Sequence, residues 1–309
     1  MRALLIADIE GIIGVYDFIN ESEKSADLYT QEIEIYIKGL LANGVSHITV
    51  CDAHNKGDMI KSSIISKNID LISGTRNVSF EEQYDFAIMV GYHGMEGQPG
   101  IHPHTYRFDI KEILADGVPV GEVEVICRWL GSHGIPVILI TGDREATYEA
   151  NYYNPYRATC CTKSLFQNKF IDHQFLYDKL LCSIDAALNL EKNLCLSPDT
   201  NTITVEFYNP DIVSMLEEYE IIENKLIFKN CADFENSVTS LALRLNEINL
   251  HIIEVNTAFL NEMRKYTKHL SKKALMNSGI AQHLTKNRYF LDEAAKCEIR
   301  KVIDELVNP

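Results

Sequence analysis

The sequence predicts an α/β fold: a mostly parallel sheet with helices on both faces, plus a mostly helical C-terminal extension. Three observations carry that expectation. Short apolar, β-branched runs alternate with longer helical stretches through the first half of the chain, and strands separated by helices pair in parallel. Four of these runs end on an acidic residue or a histidine. After about residue 247 the strand signal disappears from a segment rich in Lys, Glu, Asn and Leu.

The elements follow in order. Ala3–Ala7 reads as the first strand. A helix is expected over Ser25–Ala42, where Leu28, Ile33, Ile35, Ile37, Leu40 and Leu41 lie among charges and Asn43-Gly44 supplies the stop. His47–Cys51 is the second strand, and Phe86–Val90 the third, running into Gly91-Tyr92-His93. Pro119-Val120-Gly121-Glu122 opens a helix to about Leu130, closed by Gly131-Ser132-His133-Gly134. Pro136–Ile140 is a strand ending in Thr141-Gly142-Asp143. Lys163–Leu190 reads as mostly helical, Thr202–Phe207 as an alternating strand, and Asp211–Tyr219 and Asp233–Asn246 as helices. The expected division is an α/β domain over 1–247, looser from about 165, and a helical extension over 248–309 containing two or three helices such as Leu291–Leu306.

The 309 residues are 46% hydrophobic and 24% charged, enough for a sizeable core. A net charge of -15 argues against a nucleic-acid partner, which calls for a basic stripe. No stretch approaches the roughly 20 apolar residues of a membrane span, and the apolar run after Arg2 breaks at Asp8 without a cleavage site. Cys51, Cys127, Cys160, Cys161, Cys182, Cys195, Cys231 and Cys297 form no CxxC pair and read as reduced thiols. A cytoplasmic protein without a membrane partner is expected.

In open α/β sheets ligands gather at the carboxyl ends of the strands. There the chain places Asp8 and Glu10, Asp52 with His54, His93, then His102 and His104, Glu122 on a first helical turn, and Asp143. If the first strand holds through position 10, Asp8 and Glu10 point the same way, since residues two apart share a face. Two carboxylates brought together repel unless one takes a proton or a cation intervenes. Donors of His, Asp and Glu without Cys suit zinc, manganese or another hydrolytic metal. A pair of ions roughly 3.5–4 Å apart, sharing a carboxylate, both activates water and polarises a carbonyl. Blander roles compete: His54 as a loop histidine, His93 as a core histidine, and Glu122 complementing its helix dipole. Asp143 reads better as an N-cap. His47, His133, His173, His251, His269 and His283 carry no spacing signal.

Taken together, the ordered stretches resemble the zinc-dependent D-aminopeptidase family of the bacterial dipeptide-transport operon type. They are Asp8-Ile9-Glu10-Gly11-Ile12-Ile13-Gly14, Asp52-Ala53-His54, Asp70-Leu71-Ile72-Ser73-Gly74, Gly91-Tyr92-His93, Pro99-Gly100 with His104, Pro119-Val120-Gly121-Glu122, and Gly142-Asp143. The resemblance is good to about residue 165 and looser to about 245. It implies metal ligands at Asp8, Glu10, His54, His93 and Glu122 and a catalytic histidine at His104. It further implies two Zn2+ per subunit, with Asp8 bridging, Glu10 and His93 completing one site, and His54 and Glu122 the other. The implied activity is removal of N-terminal D-residues from a small peptide or amide substrate, in a homo-oligomer that is a ring-stacked decamer. The loop Gly94–Pro103 departs from the family pattern, and its His102 and Glu96 either alter substrate choice or face solvent. Two other readings stand beside this one: an amidohydrolase of the same scaffold acting on a cell-wall fragment or other small amide, and a non-catalytic metal-binding assembly protein.

Overall fold

The computed structural model describes residues 1–16, 22–164 and 172–267. The elements run β1 (Arg2–Ala7), α1 (Ser22–Ala42), β2 (His47–Asp52), β3 (Ile69–Ser73), β4 (Phe86–Tyr92), β5 (Ile110–Ala115), β6 (Val118–Pro119), α2 (Glu122–Ser132) and β7 (Val137–Asp143). Then come α3 (Arg144–Tyr153), β8 (Ala158–Lys163), α4 (His173–Leu188), β9 (Ile203–Phe207), β10 (Glu220–Ile222), β11 (Lys225–Phe228) and α5 (Cys231–Thr267).

The main sheet has six strands in the order β3-β2-β1-β4-β7-β8, and every neighbouring pair is parallel. From β1 the chain builds outward through β2 and β3, then returns to place β4, β7 and β8 on the other side. The order therefore reverses between β1 and β4, and the crevice beyond the carboxyl ends at such a reversal is where α/β folds bind ligands. Register sets the ends level: Ala7 lies beside Asp52 on one side and Val90 on the other.

Both faces of this sheet are covered. β4 and β7 are buried at every position, which is why they read as continuous apolar runs rather than alternating ones. On one face Ala3, Leu5, Ala7, Ile48, Val50, Ile88 and Val90 pack with Tyr29, Ile33, Tyr36 and Leu40 of α1 and Leu180 and Ile184 of α4. Those four α1 positions repeat at helical spacing, and each buried side chain contributes about 1.5–3 kcal/mol. α1 stops as expected at Asn43-Gly44, with Val45 N–H donating back to Leu40 O at 3.0 Å. The alternate β1 side chains, Leu4 and Ile6, are equally buried, on the opposite face of the pleat.

The chain divides into two compact units. The first holds Met1–Val205 and Ile227–Asn236, and so contains the whole six-stranded sheet and the antiparallel pair β5 and β6. The second holds Glu206–Leu226 and Ser237–Pro309. The boundary expected near residue 247 falls inside α5, which continues to Thr267. The helix expected over Asp211–Tyr219 is replaced by a short 3-10 helix, Pro210–Met215, with β10 beginning just beyond at Glu220. One turn already buries Ile212, Val213 and Leu216, so nothing offsets the cost of nucleating a longer helix. Of the helical stretch expected over Lys163–Leu190, α4 supplies His173–Leu188, and 165–171 lie outside the described residues. So does the expected helix Leu291–Leu306. Among the described residues no helix is long and apolar enough to cross a membrane.

Candidate metal centre

The carboxyl ends of β1, β2 and β4 and the first turn of α2 converge on one buried cluster. β1 ends at Ala7 and does not hold through position 10. A turn brings Asp8 and Glu10 together instead, with Ile12 N–H donating to Ile9 O at 3.1 Å. The turn lies against β4 backbone to backbone: Asp8 N–H donates to Val90 O at 2.8 Å and Gly11 N–H to Gly91 O at 2.7 Å. A Cβ on Gly11 would stand 2.1 Å from Tyr92 O, one on Gly91 2.2 Å from Asp8 O, and one on Gly142 1.9 Å from Tyr92 O. Only glycine permits that approach. Here is the physical content of Glu10-Gly11, Gly91-Tyr92-His93 and Gly142-Asp143.

Two of the six residues are fixed by short loops. Asp52 Oδ2 accepts from Met59 N–H and Ile60 N–H, both at 2.8 Å, closing the loop that carries His54. His93 Nδ1–H donates to Gly94 O at 3.0 Å, which leaves Nε2 facing the cluster. Asp143 caps α3 through Ala146 N–H at 2.8 Å, as read from the sequence, and also accepts from Gly94 N–H at 3.1 Å.

All six expected residues meet. Asp8, Glu10 and His54 form one donor group, Asp8, His93 and Glu122 a second, and Glu10, His93 and His104 a third, with donor atoms within 4.8 Å of one another in each. His54 Nδ1 lies 3.1 Å from Asp8 Oδ1 and 3.2 Å from Glu10 Oε2. His93 Nε2 lies 3.4 Å from Asp8 Oδ2 and 3.5 Å from Glu122 Oε1. The two oxygens of Asp8 thus face two different histidines. Beside the implied partner His93, with which it shares the third group, Glu10 also faces His54, and Glu122 faces His93.

His104 stands behind these residues. Its Nε2 is 3.9 Å from Glu10 Oε1 and 4.0 Å from Glu122 Oε1. Its Nδ1–H donates to His102 O at 2.9 Å. The ring stacks on His93 at 4.2 Å and on the exposed Phe108 at 4.6 Å. Of the two departures in the loop, His102 contributes its carbonyl to His104 and places its own Nε2 3.4 Å from Tyr16 O. Neither His102 nor Glu96 belongs to a donor group among the described residues.

The electrostatics show a cluster short of positive charge. Burial, with the adjacent Glu10 charge, raises the Asp8 carboxyl to about 7. Burial pushes Glu10 up as well, but His54, His93 and His104 hold it well below the usual carboxylate range. For His54 burial works against protonation, yet Glu10 and Asp8 outweigh it and carry the imidazole to about 11. His93 is raised well above its ordinary value in the same way, by Glu122, Glu10 and Asp8 against burial. His104 is lowered by burial and by the neighbouring His93 charge.

These residues fit a metal. Glu10 Oε2 and His93 Nε2 are buried and have hydrogen-bond geometry to no partner among the described residues, an arrangement a cation satisfies. The donors are carboxylate and imidazole, without a thiolate, a set suited to zinc and other hydrolytic metals.

Three supporting residues carry no local sequence signal. Lys163 Nζ, at the end of β8, donates to Glu10 O at 2.5 Å, to Ile12 O at 3.5 Å and to Val15 O. Burial lowers this lysine to about 8. Glu149 Oε1 accepts from Gly121 N–H at 2.9 Å and Glu124 N–H at 3.2 Å, capping α2 from α3. A Cβ on Gly121 would stand 2.4 Å from Glu149 Oε2, which explains the glycine in Pro119-Val120-Gly121-Glu122. Tyr106 N–H donates to Glu122 Oε1 at 2.6 Å.

A carboxylate–imidazole cage at the reversal point of a parallel sheet defines a metal-binding α/β protein of the hydrolase kind. The chain belongs to peptidase family M55, the D-aminopeptidases, whose family model matches residues 1–242. It is 24% identical over 228 residues to a D-aminopeptidase of Bacillus subtilis (strain 168), covering 68% of this chain and 82% of that protein. Its fold is shared with a solved structure, the Zn-dependent D-aminopeptidase DppA from Bacillus subtilis, a self-compartmentalizing protease. The TM-score is 0.69 at 22% identity, over 78% of this chain and 97% of that one. The α/β fold and the family expected from the sequence are those found, and family membership makes the chain a metal-dependent aminopeptidase.

Proposed function

We propose that this chain removes the N-terminal residue of short peptides or amides, selectively for D-residues, with two zinc ions per subunit held by Asp8, Glu10, His54, His93 and Glu122. The observation that carries the two-ion reading is Asp8, whose Oδ1 faces His54 and whose Oδ2 faces His93. Glu10 completes the first half and Glu122 the second. D-selectivity is supported by the family and by the Bacillus subtilis sequence and structure matches, and zinc by the solved structure. Zinc in such a cage supplies Lewis acidity, polarising a carbonyl and making water nucleophilic near neutral pH.

The remaining work falls to His104. Because Nδ1–H is committed to the His102 carbonyl, Nε2 faces the cage with its lone pair. This favours a proton acceptor over a donor to a developing oxyanion. His104 takes the proton released on attack at Nε2 and returns it to the leaving amine. The rings of His93 and Phe108 on its two faces hold the imidazole plane and keep water off it. Self-compartmentalization of the solved relative supports a homo-oligomer for this chain too, with a decamer as the assembly to test.

Turnover of D-alanine amide against L-alanine amide by zinc-loaded protein tests the reading. Faster release from the D-amide, abolished by chelation and restored by zinc, is expected. His104→Ala should keep its zinc while turnover falls roughly 10²–10⁴-fold. Equal rates on N-acetylated and free-amine substrates would instead indicate an amidohydrolase.

A further inference from the structure

We propose that Tyr106, tethered by Glu235, is a positioning residue that sets Glu122 for metal binding. The inference rests on the reading of Glu122 as a zinc ligand and goes beyond it to what holds that ligand in place. Glu122 sits on the first turn of α2, and a long carboxylate side chain there has several rotamers to choose from. Besides His93 Nε2 at 3.5 Å, the shorter contact that selects among them is the Tyr106 backbone N–H, 2.6 Å from Glu122 Oε1.

That N–H is aimed by an uncommon backbone. Tyr106 has φ of 60°, in the left-handed region that non-glycine residues seldom occupy and keep only when surroundings impose it. The surroundings act through the backbone turn at Thr105–Arg107 and through the Tyr106 side chain. The hydroxyl donates to Glu235 Oε1, and the ring packs edge-on against Phe234 at 5.1 Å, which in turn meets Phe228 at 5.2 Å. Glu235 is itself 2% exposed. Its second oxygen accepts from Thr75 Oγ1 at 3.1 Å. Both oxygens of a buried carboxylate are thereby used, as burial of such a group demands. Thr75 follows β3 and Glu235 lies on the first turns of α5, so two distant parts of the first unit are fastened to the loop that presents the N–H.

The chain on either side of Tyr106 is fixed too. Thr105 Oγ1 accepts from Glu96 N–H at 3.1 Å. Arg107 grips Asp109, with Nε 2.9 Å from Oδ1 and an Nη 2.8 Å from Oδ2. Arg107 N–H also donates to Thr105 O at 2.7 Å, closing the turn across Tyr106, and the Glu235 tether anchors that closed turn to the rest of the first unit. Groups that hydrogen-bond a ligating carboxylate orient it, and losing one typically weakens metal binding about 10–100-fold.

The tether acts on one half of the cage, and that makes it testable apart from general stability. Zinc is titrated calorimetrically into the metal-stripped full-length chain and into three variants, with thermal unfolding followed alongside. In Tyr106→Phe one zinc equivalent should weaken at least about 10-fold, while the equivalent on the Glu10–His54 side keeps its affinity. Glu235→Gln still offers an oxygen to the Tyr106 hydroxyl and should retain both equivalents. Tyr106→Phe combined with Glu235→Leu removes the stranded carboxylate, so stability should recover while the weakened equivalent stays weak. Wild-type affinity for both equivalents in Tyr106→Phe overturns the inference. Equal weakening of both does so as well, because it marks a merely structural residue. A wild-type chain that binds fewer than two equivalents overturns the underlying two-zinc reading, and is told apart because it shows without any substitution.

Discussion

Glu10 and Glu122, which would each supply a carboxylate to one half of the proposed cage, are held by different kinds of contact. Glu10 is fixed through its backbone. The turn after β1 lies on β4 at glycine distance, and Lys163 gathers the carbonyls of Glu10, Ile12 and Val15 around one ammonium. Glu122 is fixed through other side chains and loops: Glu149 caps its helix from α3, and Tyr106 N–H holds its carboxylate. The Glu10 side is held through main-chain contacts to β4 and β8, whereas the Glu122 side is held by a carboxylate cap from α3 and by the loop at Tyr106. A site of this kind should lose its halves separately, and for different reasons.

The largest effect expected from the supports is at Lys163. Lys163→Met removes the ammonium from the carbonyls of Glu10 and Val15, and from Ile12 O, which keeps Val15 N–H; it should cost about 3 kcal/mol of stability, measured by urea unfolding. Zinc should be lost first from the Glu10–His54 side. Unchanged stability would show that the ammonium is not what holds the turn.

A smaller effect is expected at Glu149, and it depends on pH. Burial raises its carboxyl to about 7 from 4.5, against the opposing hydrogen bonds from Gly121 and Glu124. The folded chain therefore binds this proton more tightly than the unfolded chain. The resulting stability is fully present below about 4.5 and is lost as pH rises through about 7. Glu149→Gln cannot titrate, so its stability relative to wild type should improve by on the order of 2 kcal/mol between pH 5 and pH 8. Parallel stability curves for the two proteins over that range would contradict the assignment.

The contrast between the halves also explains what could be read from the chain alone. Asp8, Glu10, His54 and His93 were legible because parallel strands deliver their next residues to a common edge. Asp143 was legible as a cap because the residues after it begin a helix. The turn at Glu10 was not, since Asp8-Ile9-Glu10 reads as a continued strand while β1 ends at Ala7. β5 was also missed: Ile110–Ala115 places Lys111 and Glu112 side by side and lacks alternation. β8 and α3 were not read as elements, and with them went Lys163 and Glu149. Tyr106 and Glu235 lie 129 positions apart, and no local pattern joins them. What the sequence states plainly is donor chemistry at strand ends; what it leaves unstated is long-range support.

The central claim is that Asp8 is shared between two zinc ions, one with Glu10 and His54 and one with His93 and Glu122. Zinc content per subunit, measured by elemental analysis after dialysis, tests it most directly in Glu10→Ala, Glu122→Ala and Asp8→Ala. The account expects two ions in the wild type, one in each glutamate variant and none in Asp8→Ala. Full zinc content in Asp8→Ala, or loss of both ions from either glutamate variant alone, would contradict it.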